Sequence, residues 1–337
     1  MGNNPTMKDV AREAGVALGT VSKVINGIPV GEEYRQKVEA AAKKLGYRVN
    51  NYARGLKTNK TNVIAVILPS LIHPFFASIA EFCGRFLKER GYSMIVATTD
   101  FDPEAEKKCL DMVAQNKVDG IICLSYNPNL EIDDEIPFVS IDRYFGARVP
   151  CVSADNFGGG QLAAQKLTEL GCKRILALRA ASEVPGEADK RNVGFDMYCQ
   201  THDIEHDVLV VYDGRDGWNP FWNYLESHIH EGRLDYDGIF VGTDHLAYHV
   251  VNWLREHGLA VPEDVQVIGF DGLRMFGTDR YYLSTIVQPV EQMARSCVEL
   301  VLSEDKDSCP PLLCLPVSFA DCGTTRNTAA ERPAGDR

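Results

Sequence analysis

The chain has 337 residues, 45% of them hydrophobic, which is room for a small head plus one large or two medium domains with packed cores. Its net charge of −12 is unevenly divided: residues 1–60 carry 11 Lys/Arg and 5 Asp/Glu, the other 277 carry 24 and 42, so a basic tip precedes an acidic body that repels nucleic acid. No apolar run reaches the ~18 residues of a membrane span, Met1-Gly2-Asn3-Asn4 does not read as a signal peptide, and ten scattered cysteines without a C-x-x-C pair exclude zinc-ribbon and thioredoxin-like chemistry.

Residues 6–26 predict a helix, a tight turn and a second helix. Thr6 is placed to cap the first helix, with Asp9 three residues on as the capping-box partner. Val10 and Ala14 give it an apolar stripe, Gly15 ends it, and Val16 plugs the space between the helices. Val21, Val24 and Ile25 turn inward, leaving Leu18, Gly19, Thr20, Ser22, Lys23 and Asn26 outward. An outward set of this kind at the start of a second helix is what a helix-turn-helix presents to base edges. Leu18 suits thymine methyls and Lys23 guanine O6 or N7, while Gly19 offers only backbone; Thr20 and Ser22 also suit phosphate, the preferred reading for Ser22.

A third helix is predicted over 32–45, with Tyr34, Val38, Ala41, Ala42 and Leu45 buried and Gly46 ending it. Residues 48–62 form a polar, basic linker too poor in apolar residues to hold a helix alone. Beyond it, short apolar runs at 63–68, 93–98, 120–125, 138–142, 174–179, 208–212, 238–242 and 265–271 alternate with amphipathic helices such as 75–90, 103–115, 160–170 and 244–257. Near-continuous Val/Ile/Leu strands joined by helices predict parallel sheets covered on both faces, and their number predicts two lobes. The cysteines within such strands read as small buried hydrophobes, and the tail 328–337 as disordered.

In this order the motifs resemble those of the LacI/GalR family of bacterial transcription regulators, over nearly the whole chain. The head pattern is Met7-Lys8-Asp9-Val10-Ala11, Ala14-Gly15-Val16-Ala17 and Thr20-Val21-Ser22-Lys23-Val24-Ile25-Asn26-Gly27. Leu45-Gly46-Tyr47 and Asn50, Ala53, Arg54 and Leu56 follow, then Pro74-Phe75-Phe76, Val118-Asp119-Gly120, Val261-Pro262-Glu263-Asp264-Val265 and Gly269-Phe270-Asp271 in the body. Ala17 and Lys23 depart from the usual Ser and Arg, and His73 from the usual Asn.

The resemblance implies an all-α three-helix head over 1–49, a hinge over 50–61 and a two-lobed α/β core like a periplasmic binding protein over 62–327. The first lobe would comprise 62–158 and 289–316, the second 159–288 and 317–327. It further implies a hinge that becomes helical on DNA, with Asn50 and Ala53 beside a Leu56 that wedges into the minor groove. The partners implied are a pseudo-palindromic operator, a second copy of the chain and a small carbohydrate effector; no membrane, metal or cofactor is expected, and the location is cytoplasmic. No leucine heptad follows Arg326, which favours a dimer over a tail-tethered tetramer.

The effector cleft is expected beyond the carboxyl ends of the strands, between the lobes. Phe75, Phe76, Tyr126 and Trp218 are candidates to stack on a sugar face. Asp142, Arg191 and Asp271 are candidates to hold hydroxyls, with Thr243 and Asp244 after them. Two other readings compete, a sugar-binding transport protein and a sugar-active enzyme. Gly158-Gly159-Gly160 lacks G-x-G-x-x-G spacing and does not clearly follow a strand, His245 and His249 read as a packed pair, and no G-x-S-x-G occurs.

Overall fold

The computed structural model describes residues 5–25, 27–47, 60–182, 184–212, 217–275, 278–306 and 308–326. The chain divides into two compact units, Met1–Thr61 and Asn62–Arg337.

In the first unit, α1 (Met7–Ala14), α2 (Leu18–Ile25) and α3 (Glu32–Leu45) enclose Val10, Ala11, Val21, Val38 and Ala41. Thr6 and Asp9 close a reciprocal capping box, and Gly15 ends α1 in the left-handed region at φ 63°. Tyr34 corrects the expected stripe of α3: it is 52% exposed, because the first turn of α3 overhangs this small core.

In the second unit, β1 (Val63–Leu68), α4 (Pro74–Glu89), β2 (Ser93–Thr98), α5 (Pro103–Gln115), β3 (Gly120–Cys123), β4 (Phe138–Ile141) and β5 (Cys151–Ala154) build one parallel sheet. Then come α6 (Asn156–Glu169), β6 (Arg174–Ala181), α7 (Lys190–Thr201), β7 (Glu205–Tyr212), α8 (Asn219–Ser227) and a two-stranded hairpin of β8 (Ile229–His230) and β9 (Arg233–Leu234). The remaining elements are β10 (Gly238–Val241), α9 (Asp244–Glu256), β11 (Gln266–Asp271), β12 (Thr285–Val287), α10 (Val290–Val301), β13 (Leu312–Leu315) and β14 (Ser318–Ala320).

The first sheet runs β13-β5-β4-β3-β1-β2 and the second β14-β12-β11-β10-β6-β7. The chain therefore crosses between lobes three times: after β5, after β12, and between β13 and β14. The first crossing falls between Ala154 and Asn156, and α6 packs on the second lobe through Ala163, Ala164 and Leu167. On the return, α10 packs Met293, Ala294, Cys297 and Val298 against Ile79, Cys83 and Phe86 of α4. Burying each such large side chain stabilises the lobe by roughly 1.5–3 kcal/mol.

Gly158, Gly159 and Gly160 do follow a strand, but inside α6 rather than in a phosphate loop. A Cβ on Gly160 would collide with the Arg191 carbonyl, and one on Gly194 with the Phe157 carbonyl, so α6 and α7 cross with their backbones touching. That crossing fixes the position of Arg191. Six of the ten cysteines are buried, as expected of small hydrophobes, whereas Cys314 on the edge strand β13 is exposed. Among the described residues no helix is long and apolar enough to cross a membrane.

Candidate functional site

The head presents α2 as an exposed ledge. Leu18 is 44% exposed, Gly19 and Lys23 are exposed, and Thr20 and Ser22 are half-buried. Val21 beneath them is fully buried and holds the helix to α1 and α3. The Ala17 carbonyl accepts from the Thr20 and Val21 N–H groups at 2.9 and 3.3 Å, so the helix starts without a side-chain cap. Thr6 is committed to Asp9: its hydroxyl and its backbone N–H both donate to Asp9 Oδ2, at 2.7 and 2.9 Å. These bonds hold the Asp9 carboxyl below its ordinary pKa. Asn26, Asn50, Ala53 and Leu56 lie outside the described residues.

The second unit holds a cavity of ≈ 180 Å³ between its sheets, beyond the carboxyl ends of β1, β4, β6, β10 and β11. In each sheet the strand order reverses at β1 or β6, the switch point where open α/β sheets leave a crevice. Phe75, Phe76, Tyr126, Asp142, Arg191, Thr243 and Asp271 all line it.

Arg191, 4% exposed, organises the wall. Its Nε donates to Asn156 Oδ1 at 2.7 Å and its Nη1 to the Gly242 carbonyl at 2.6 Å, with Asp271 Oδ1 at 3.5 Å. The guanidinium lies 3.7 Å over the Phe270 ring, a cation–π contact. Burial pulls its pKa down, and the Asp271 carboxylate opposes that. Asp271 sits at φ 129°, a strained value for a residue with a side chain, and receives the Gln288 amide at 2.8 Å on Oδ1. Asp271 Oδ2 and Gln288 Oε1 are buried without a partner among the described residues.

A relay of side chains links these groups to the other lobe. Arg191 donates to Asn156, Asn156 Nδ2 donates to Ser153 Oγ at 3.0 Å, and Ser153 donates to Asp142 Oδ1 at 2.7 Å. Burial pushes the Asp142 carboxyl up, and the Ser153 bond works against it.

Two expected residues stand elsewhere. Asp244 lies below the cavity floor: Thr285 Oγ1 donates to one of its oxygens at 2.6 Å and the Leu273 N–H to the other at 2.7 Å. As the first residue of α9 it looks into the lobe, while Thr243 caps the helix and faces the cavity. Trp218 packs on the rings of His245 and His249, at 5.1 and 4.7 Å between centroids, and does not line the cavity. The two histidines are thus a packed pair, and burial draws the His245 pKa down.

Among the lining residues that the sequence reading missed are Arg143, Arg179, Asp189 and Gln288. Arg143 follows strand-end Asp142 and Gln288 follows β12, so their positions past strand ends were the available signal. Arg179 sits inside a strand and carried none.

Residues 6–50 match the model of bacterial regulatory proteins of the lacI family, and 164–309 that of a periplasmic binding protein-like domain. The chain is 31% identical over 307 residues to the sucrose operon repressor of Pediococcus pentosaceus, covering 90% of this chain and 93% of that one. It is 32% identical to the ribose operon repressor of Bacillus subtilis, with 95% and 98% covered. The chain belongs to the LacI family. Among solved structures it resembles the Lac repressor bound to ONPG, with a TM-score of 0.79 at 25% identity over 96% of this chain and all of that one. It also resembles the CelR–cellobiose complex, with a TM-score of 0.63 at 28% identity over 95% and 99%. As a LacI-family protein it is a DNA-binding transcriptional regulator and not an enzyme.

Proposed function

We propose that this LacI-family protein is a cytoplasmic homodimeric repressor whose operator affinity is set by a small carbohydrate bound between the core lobes. The observation that carries this reading is the cavity wall itself. Phe76 and Tyr126 offer apolar ring faces, and Arg191, Asp271 and Gln288 offer polar atoms, two of them unpartnered acceptors suited to sugar hydroxyls. The relay from Arg191 to Asp142 gives a ligand purchase on both lobes at once. A ligand with different affinity for two lobe arrangements shifts their balance, and with it the spacing of two DNA-reading heads.

On the head, Leu18, Thr20 and Lys23 are assigned to base edges, Ser22 to phosphate, and Asn50, Ala53 and Leu56 to the minor groove. Two-fold pairing is supported by exposed aromatic surface on the second lobe, where Tyr248 and Tyr282 are 48% and 46% exposed with ring centroids 6.2 Å apart.

The test is fluorescence anisotropy with promoter fragments at two salt concentrations, with and without a sugar panel. The expected result is saturable, sequence-selective binding that weakens with salt and responds to one sugar. Binding that is equal on every fragment defeats the reading, as does turnover of a sugar by the purified chain. A sugar that lowers operator affinity is an inducer and one that raises it a co-repressor.

A further inference from the structure

We propose that the effector is anionic: a sugar carrying a carboxylate or a phosphate ester, seated between Arg143 of the first lobe and Arg179 of the second. The proposal rests on the reading of the cavity as a carbohydrate site and names which carbohydrates enter it.

Arg143 is the key observation. It is 6% exposed and lines the cavity beside Tyr126, 5.0 Å from that ring. Its Nε donates to the Ser125 carbonyl at 2.9 Å and its Nη1 to the Pro185 carbonyl. Among the described residues no carboxylate comes within ion-pair distance of it. A buried guanidinium is ordinarily matched by an anion. Arg179, 7% exposed, lines the same cavity; its Nη2 pairs with Asp189 at 2.8 Å, and its Nε is buried without a partner.

The acids nearby do not supply the missing charge. Asp271 is taken up by Arg191 and Gln288, and Asp189 by Arg179 and the Gly186 N–H. Glu106 is held by Ser125 at 2.5 Å and Asp142 by Ser153 at 2.7 Å, and burial raises the pKa of each carboxyl. Arg143 is thus a buried guanidinium with no carboxylate at ion-pair distance among the described residues, and it shares the cavity with an Arg179 whose Nε is also unpartnered. Planar guanidinium forks match carboxylate and phosphate oxygens bidentately, which a neutral hydroxyl cannot reproduce. Asp271 Oδ2 and Gln288 Oε1, which have no partner among the described residues, accept from hydroxyls. The pocket thus offers acceptors to a polyol and unmatched guanidiniums to an acid group.

The test is calorimetric titration of the full chain with matched sets: glucose, glucuronate and glucose 6-phosphate, then fructose and fructose 6-phosphate. The charged member is expected to bind about tenfold tighter or more, with an advantage that shrinks as salt rises. Preference for the ester over the uronate assigns phosphate; the reverse assigns carboxylate. Arg143→Gln, and separately Arg179→Gln should the first variant fold poorly, is expected to erase the preference. Asp271→Asn weakens charged and neutral members alike. Neutral sugars binding as tightly as their charged partners overturn the proposal and leave the carbohydrate reading standing. Failure of every member of both classes to bind overturns both.

Discussion

Gln288 donates its side-chain amide to Asp271 Oδ1 at 2.8 Å, and it stands where the chain leaves the second lobe for α10. A residue of the inter-lobe crossing thereby holds one of the buried carboxylates of the cavity. Removing a hydrogen bond to a charged group costs roughly 1.5–3 kcal/mol. Gln288→Leu is expected to weaken effector binding by about tenfold or more, while effector-free operator affinity stays within about threefold of the parent. Titration calorimetry and anisotropy on the same preparation check it; a parallel loss of both affinities would place Gln288 in the fold rather than in the site.

Two glycines on helices make a contrasting pair. Gly19 has open space where a Cβ would stand, so Gly19→Ala should stabilise α2 by up to about 1 kcal/mol, read as slower amide exchange in that helix. Gly160→Ala drives a methyl into the Arg191 carbonyl and is expected to cost about 1–3 kcal/mol or more. It should also displace Arg191, so effector affinity falls with the melting temperature of the core. Equal effects at the two positions contradict this account.

Asp244 gives the core a pH signature. Burial, and then the Asp271 charge, push its carboxyl up from 3.8 to about 7, while the Thr285 bond pulls the other way. The folded state thus holds this proton more tightly than the unfolded chain, and stability from this group is lost as pH rises from about 4 to about 7. Asp244→Asn is expected to flatten the fall of melting temperature over that interval. An unchanged slope in the variant removes Asp244 as its source.

Lys23 is exposed on the reading face of α2. Lys23→Arg supplies the planar fork that guanine favours, and about 1–3 kcal/mol of new preference for guanine at one operator position is expected. Selection from a randomised operator library measures it. Gain spread evenly over all sequences instead marks a phosphate contact.

Much of this architecture is written in short-range pattern. The runs at 63–68 and 265–271 announce buried parallel strands because both faces are covered, and each includes the strand observed. The strands at 151–154, 285–287 and 312–315 are three or four residues long, and nothing local separates them from loop. The cavity was legible where a side chain follows a strand end, as at Asp142, or stands at a helix start, as at Arg191, which lies in the first turn of α7 rather than before it. Arg179 and the burial of Arg143 were not, since they depend on which strands become neighbours. Asp244 looked like a ligand residue for the same reason that Thr243 does; one residue of helical rotation separates the floor from the wall.

The segment 312–320 lays β13 along the edge of one sheet and β14 along the edge of the other. During synthesis, then, neither half can finish its hydrogen-bond ladder until more than nine-tenths of the chain has left the ribosome. Nascent chains stalled short of this stretch should expose β5 and β12, inner strands of the finished sheets, as unpaired borders open to mispairing and proteolysis.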